Sequence, residues 1–252
     1  ATLQDPQDKR RMRDIPTTAV RLDQLVKTFR LPKPIQTLIQ PLYTLDGIQL
    51  EGGKASAPWK PPSSSGHDHP LDPIWTSGGQ LFLVLHDEDT SRKSNPYEVT
   101  LARLILERGR ALGHLPKNSV AVMTPHRAQK ALLTQQLAGL QDHITMIDTV
   151  ERLQGGEQES IVVSATVSDP VAIARTSDFV LNMQRSNVAF SRTKQRLVVI
   201  CARTLLDHVP SDIEVYETTL LWKHLRQQCA HPISGHTLNG IGYHLLSPSV
   251  TE

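Results

Sequence analysis

The sequence predicts an α/β protein whose mainly parallel sheet is covered by helices on both faces, and three observations carry that prediction. Continuous apolar runs such as Leu81-Phe-Leu-Val-Leu85, Val120-Ala-Val-Met123 and Leu197-Val-Val-Ile-Cys201 have the length and composition of strands buried on both sides. Between them lie stretches whose apolar residues recur at helical spacing. Strand and helix alternate along the chain, which is how a parallel sheet is assembled, because parallel neighbours need a long crossover. At 252 residues the chain can bury one substantial core and a second small unit.

The elements follow in order. Residues 1–18 are polar and charged without apolar periodicity and read as an exposed lead-in. Residues 19–51 form an N-terminal part of the domain. Its spacing from Leu22 to Tyr43 is helical, with Pro32 and Pro34 opening a segment in which Ile35, Leu38, Ile39 and Leu42 share a face. Arg30 falls just before that helix start. Residues 52–79 are rich in Gly, Pro and Ser and read as a long loop that separates this small piece from the body at 80–227. In the body, a strand at 81–85 leads to a helix from Tyr97 to Leu112, and a strand at 120–123 leads to a helix from Arg127 to Leu140. Strands near 144–149 and 161–167, a helix through Asn187, a strand at 197–201 and a helix near 215–225 complete it. Residues 228–252 read as a tail.

Lys and Arg number 27 against 25 Asp and Glu, so net charge does not advertise a nucleic-acid binder, and any such site must be a local groove. Cys201 and Cys229 fit no metal-ligand spacing and suit a reducing compartment. No apolar run approaches the ~20 residues of a membrane span and the start has no signal-peptide pattern, so the expectation is a cytoplasmic protein with no membrane partner. A chain that opens on Ala1 and runs into polar sequence also reads as the interior of something longer.

In open parallel sheets ligands collect outside the carboxyl ends of the strands. Thr124-Pro-His-Arg-Ala-Gln129, Thr149-Val-Glu-Arg152 and Ser168-Asp-Pro170 occupy those places. Their hydroxyls and amides suit phosphates, and equally suit turns and helix N-caps. In Gln154-Gly-Gly-Glu157 two glycines permit close backbone approach and the polar pair can bond a ribose or a catalytic group; a tight connection between strands is the competing reading. Arg192 follows Val188, Ala189 and Phe190, a packed helix able to fix the direction of a guanidinium as an arginine finger requires. A surface salt bridge is the alternative for Arg192, Arg30 and Arg185. A fixed arginine near a turn that can meet a nucleotide points to nucleotide hydrolysis. His67-Asp-His69 has no partner cluster, which argues against a metal, and Asp87-Glu-Asp89 reads as a solvated turn.

Taken together, residues 20–225 closely resemble the second RecA-like domain of superfamily 1 DNA and RNA helicases, in the group that includes the nonsense-mediated-decay helicase and the replication nuclease-helicase. Thr28-Phe-Arg-Leu-Pro32 resembles motif IV, Ser94-Asn95 with Glu98 the pattern at the next helix start, Asp148 to Glu157 motif V, and Gln184 to Arg192 motif VI. The resemblance implies a RecA-like three-layer α/β/α sandwich of the P-loop NTPase class. It also implies that Arg192, as the finger, and Arg30 contact the γ-phosphate of ATP. Gln154, Gly155, Gly156 and Glu157, with Arg185, would meet the nucleotide, while Thr124, Pro125, His126, Arg127 and Thr149 touch a single strand of DNA or RNA. Gln184-Arg185-Ser186 stands where the family often carries paired arginines and a leucine, and Leu153 replaces a motif V aromatic.

The sequence contains no Gly-x-x-x-x-Gly-Lys-Ser/Thr, Gly52-Gly-Lys54 lacking both the spacing and the hydroxyl. By the resemblance, the Mg²⁺ and β-phosphate site belongs to an N-terminal RecA-like domain, supplied in cis or in trans. The expectation is thus the C-terminal half of an ATP-dependent helicase, inactive alone. A catalytically silent nucleic-acid-binding or regulatory module derived from such a half is the alternative.

Overall fold

The computed structural model describes residues 27–44, 47–54, 69–153 and 156–248. Strand β1 (Lys27–Pro32) runs into helix α1 (Lys33–Thr44), and β2 (Glu51–Lys54) pairs with β1 in a small parallel sheet. The predicted helix therefore begins only at Lys33, Arg30 lies within β1, and residues 22–26 fall outside the described residues. A short helix α2 (Pro73–Thr76) precedes β3 (Leu81–His86), α3 (Pro96–Ala111), β4 (Val120–Thr124), α4 (Arg127–Gln136), β5 (Ile144–Thr149) and β6 (Gln158–Ser164). Two helices, α5 (Pro170–Val180) and α6 (Met183–Phe190), then lead to β7 (Thr193–Ala202), α7 (Arg203–Asp207), α8 (Ile213–Gln228), β8 (His231–Leu238) and β9 (Ile241–Ser247).

The main sheet has the order β5-β4-β6-β7-β3-β9-β8. Its first five strands are parallel, and β9 and β8 add an antiparallel flank. Every residue of β3 and β4 is buried, as strands covered on both faces require. Because side chains alternate across a strand, Leu83, Leu85, Met123, Ile161 and Val199 face one core with α1, α6 and α8. Phe82, Val84, Val122, Val162 and Val198 face the other with α2, α3 and α4. The result is the RecA-like three-layer sandwich.

Four expectations change. The N-terminal piece is not separate: Leu31, Ile35, Leu38 and Ile39 are buried in the same core as Leu83 and Trp222, and Gln228 Nε2 donates to the Pro34 carbonyl at 2.7 Å. The end of the 52–79 loop is packed structure, since Leu71, Ile74 and Trp75 are buried and the indole of Trp75 donates to the Ile105 carbonyl at 2.8 Å; residues 55–68 lie outside the described residues. The 228–252 tail is largely a hairpin that joins the sheet through β9, turning on Asn239 and Gly240, both at positive φ (52° and 80°). Finally, α5 was not read from the sequence. Ser168-Asp-Pro170 turns out to be its start, with Asp169 accepting from the amides of Val171 (2.8 Å) and Ala172 (2.9 Å) and Pro170 in the first turn.

Candidate nucleotide wall and nucleic-acid cleft

Thr124 and Thr149 end adjacent strands in register. Thr124 is fully buried and its Oγ1 lies 2.8 Å from Thr166 Oγ1, so this hydroxyl is used inside the protein and shapes the turn. Of the two groups Thr124 could offer a strand, the hydroxyl and the backbone, the hydroxyl is thus engaged within the fold. Thr166 has φ +75°, a left-handed conformation costly for a β-branched residue. Hydrogen bonds hold it there: its amide donates to Glu98 Oε2 at 2.9 Å and its carbonyl accepts from Asn95 Nδ2 at 3.1 Å. Asn95 also caps α3, its Oδ1 accepting from the Glu98 amide at 2.9 Å. Gln129 reaches across from α4, accepting from the Asn95 amide at 2.7 Å and donating to Ser164 Oγ at 2.8 Å. A buried polar network thus fixes the ends of β3, β4 and β6 relative to one another.

Glu88 belongs to this network, which corrects the reading of Asp87-Glu-Asp89 as a solvated turn. It is 8% exposed and accepts from Asn95 Nδ2 (2.8 Å), Ser168 Oγ (2.5 Å), Thr90 and Ser91. Burial pushes its pKa up, but the hydrogen bonds from Ser168, Thr90 and Ser91 prevail and hold it below the ordinary value of 4.5. Asp87 pairs with Arg203 at 2.8 Å.

Beyond the strand ends opens a cleft of about 540 Å³, lined by Pro125, His126, Arg127 and Thr149 together with Phe179 and Arg185. Lys93 and Arg152 add charge at its border. Arg185, which the resemblance sets among the nucleotide-contacting residues, lines this cleft. Its guanidinium stacks 4.0 Å from the centroid of Phe179 and pairs with Glu151 at 3.0 Å. The reason is local: Asn182 caps α6 and aims Arg185, in the first turn, at the short helix 150–153. The His126 ring lies 5.5 Å from Phe179, tilted by 37°. Burial, then Lys93 and Arg185, push the His126 pKa below 6.5. A second cleft of about 610 Å³ shares Arg127, Thr149 and Arg152 and extends past Lys130. Lys130 pairs with Asp148 at 2.8 Å; burial would raise the Asp148 pKa, yet Lys130 and the Thr149 amide keep it low.

The other wall is built where β6 meets β7. Gln158 is opposite Thr193 in the ladder and the Gln158 amide donates to the Arg192 carbonyl at 3.0 Å, so Glu157 and Arg192 emerge side by side. Arg192 lies just past the end of α6 at Phe190, in the turn into β7. Its amide still donates to the Ala189 carbonyl at 3.3 Å, so the helix end fixes it. Arg192 Nε is buried with no hydrogen-bond partner. A buried guanidinium donor left unpaired costs free energy, so an anion at this turn fits the residues present. Lys194 bridges Glu157 (3.4 Å) and Glu159 (3.9 Å). A Cβ added at Gly156 would meet nothing nearer than Gln158 Nε2 at 4.0 Å, so packing does not dictate the glycine. Gln154 and Gly155 lie outside the described residues, as does the side chain of Arg30, whose strand runs alongside β7.

Among the described residues no group of three or more His, Cys, Asp or Glu is placed to hold a metal. His67 and Asp68 lie outside them, and His69 Nδ1 accepts from the Leu71 amide at 3.2 Å. Cys201 and Cys229 are free and buried, and burial pushes both thiols up. No helix among the described residues is long and apolar enough to cross a membrane.

A RecA-like sheet with a cation-lined cleft at its carboxyl edge, bordered by segments 124–129, 148–153 and 184–192, defines the class: the chain has a RecA-like fold and is similar to superfamily 1 helicases. Residues 81–204 match the AAA_12 family, an AAA domain. The chain is 32% identical over 140 residues to "DNA-binding protein SMUBP-2" of Mesocricetus auratus, covering 55% of this chain and 14% of that protein. It is 35% identical over 112 residues to "DNA polymerase alpha-associated DNA helicase A" of Schizosaccharomyces pombe, covering 43% and 16%. To "DNA replication ATP-dependent helicase/nuclease DNA2" of Xenopus tropicalis it is 22% identical over 158 residues, covering 59% and 15%. The matched segment thus spans only 14 to 16% of these relatives.

Proposed function

We propose that this chain is the second motor domain of an ATP-dependent nucleic-acid helicase, supplying an arginine finger on one wall and a single-strand cleft on another. The observation that carries the reading is the β6–β7 pairing, which sets Arg192, with its unpaired Nε, beside Glu157 while the cationic cleft opens at the ends of β4 and β5. Arg192, with Arg30 from β1, neutralises charge that develops on the γ-phosphate of ATP, whose β-phosphate and Mg²⁺ are held by an N-terminal RecA-like domain in cis or in trans. Glu157 and the residues preceding it contact the nucleotide at that domain interface. When bound, Mg²⁺ supplies charge neutralisation between the phosphates.

In the cleft, the side chain of Arg127 and the backbone of Pro125 and Thr149 hold strand phosphates, and Thr124 positions the turn from beneath. Arg127, Lys93 and Arg152 carry none of the ion pairs found among the described residues, so they are the cations most able to exchange counterions for phosphates. Engaging about three phosphates gives a slope of log affinity against log salt near −2, at about −0.7 per contact for single strands. The test is anisotropy of a labelled oligothymidylate titrated with this chain at several salt concentrations. Arg127→Ala is expected to weaken binding and flatten the slope by about 0.7. Salt-independent binding, or a slope untouched by the substitution, overturns the placement of the strand.

A further inference from the structure

The outer strand of the main sheet turns part of its backbone away from the fold. β8 lies at one end of the strand order and, among the described residues, pairs with β9 alone. The turn between them has two residues, so its closing pair, Leu238 and Ile241, exchange hydrogen bonds, as do His236 and Tyr243 two positions on. The amides and carbonyls of Gly235 and Thr237 therefore point to the open edge, and both residues are exposed, as is His236 between them. Natural sheets blunt such edges with charge, proline or a bulge. Pro232 and the irregular register between it and Ser234 guard only the start of this strand. Residues 234–238 contain no Lys, Arg, Asp or Glu, and the His236 ring is held by Tyr243, with centroids 6.0 Å apart.

The occupant that satisfies these groups is an extended backbone lying alongside β8. Because they are arranged symmetrically about His236, a second copy of β8 running antiparallel, with the two-fold axis at His236, matches them without remainder. Gly235 of each copy then faces Thr237 of the other, and about four hydrogen bonds form. A second copy also meets little repulsion, since residues 234–238 carry no formal charge and the chain's net charge is only +2. We propose that β8 is a self-association edge, through which two copies of this chain join into one continuous sheet. The free edge is short, so the contact falls at the small end of interface sizes and forms a weak, concentration-dependent dimer. In the strand order the cleft at β4 and β5 lies at the opposite end and the β6–β7 wall lies between, so the pairing is made away from both.

Sedimentation equilibrium of this chain from about 10 μM to about 1 mM should show monomer and dimer exchanging. Over the same range, amide hydrogen exchange at Gly235 and Thr237 should slow as concentration rises, while the His236 amide, bonded to Tyr243, stays protected throughout. Thr237→Pro removes an outward donor from each copy without touching the ladder to β9. His236→Lys sets like charges directly opposite each other across the two-fold axis. Each should weaken dimerisation about tenfold or more. His236→Lys, at an exposed position, decides the question if the proline variant fails to fold. A monomer throughout the range, a dimer that His236→Lys leaves at full strength, or a dimer whose Gly235 and Thr237 amides exchange as fast as in the monomer overturns the self-association edge. None of these outcomes bears on the arginine finger or the strand cleft.

Discussion

Replacing Glu98 by Ala should destabilise this protein more than any surface change. Glu98 is fully buried. Its Oε2 accepts from Ser164 Oγ at 2.5 Å and from the Thr166 amide at 2.9 Å, and its Oε1 lies 3.2 Å from His86 Nε2. Because the Glu88 amide donates to His86 Nδ1 at 3.3 Å, Nε2 carries the proton and donates to Glu98. Three donors therefore lose their acceptor together, each worth about 1–3 kcal/mol when left buried and unpaired. Removing a buried carboxyl group and admitting water offset part of that loss, leaving a net cost of about 3–5 kcal/mol. That is a large share of the ~5–15 kcal/mol typical of a folded domain. Glu98→Gln keeps the shape and one acceptor, but turns an amide donor toward groups that are themselves donors, and should cost about 2 kcal/mol. Urea unfolding followed by circular dichroism measures both. A Glu98→Ala midpoint equivalent to less than about 1 kcal/mol of loss would refute the claim that this network holds Thr166 and the strand ends in place.

Gly109→Ala tests the packing of the segment read from the sequence as loop. A Cβ there would lie 2.5 Å from Trp75 Cε2, an overlap the anchored indole cannot easily escape, and a lowered melting temperature equivalent to about 1–3 kcal/mol is expected. Acid should act through His126. Because its folded pKa lies below its ordinary 6.5, folding excludes its proton, so its contribution to stability is complete above pH 6.5 and is lost as pH falls through the folded value. His126→Gln should flatten the pH dependence of the unfolding midpoint below 6.5, and an unchanged profile contradicts the assignment. Glu88 follows the same sign at lower pH: its contribution is complete above 4.5 and lost as pH falls further, so Glu88→Gln should remove part of the acid sensitivity seen there.

The strands were legible because β3, β4 and the Leu197–Ala202 part of β7 are buried on both faces and must be continuously apolar. The residues after them could be located without knowing the fold, since strand ends collect ligands in any open parallel sheet. Helix α5 escaped because only Ile173, Ser177 and Val180 of it are buried, too narrow a stripe among Arg175, Thr176 and Asp178. Its Asp169-Pro170 start was a signal that could have found it, and with it Phe179. Asn239-Gly240 was a comparable signal for the β8–β9 hairpin. The convergence of Arg185 on Phe179, and the hydrogen bond to Glu88 from the Ser168 hydroxyl 80 residues away, are tertiary facts that no local pattern encodes.

The most direct test of the account is the strand-stimulated ATPase activity of this chain combined with an N-terminal RecA-like domain, in cis or in trans, with and without Arg192→Ala. An arginine finger contributes roughly 10³- to 10⁵-fold to turnover, so the variant should lose stimulated hydrolysis by about that factor while binding a strand as before. Normal stimulated hydrolysis by Arg192→Ala would contradict the finger assignment.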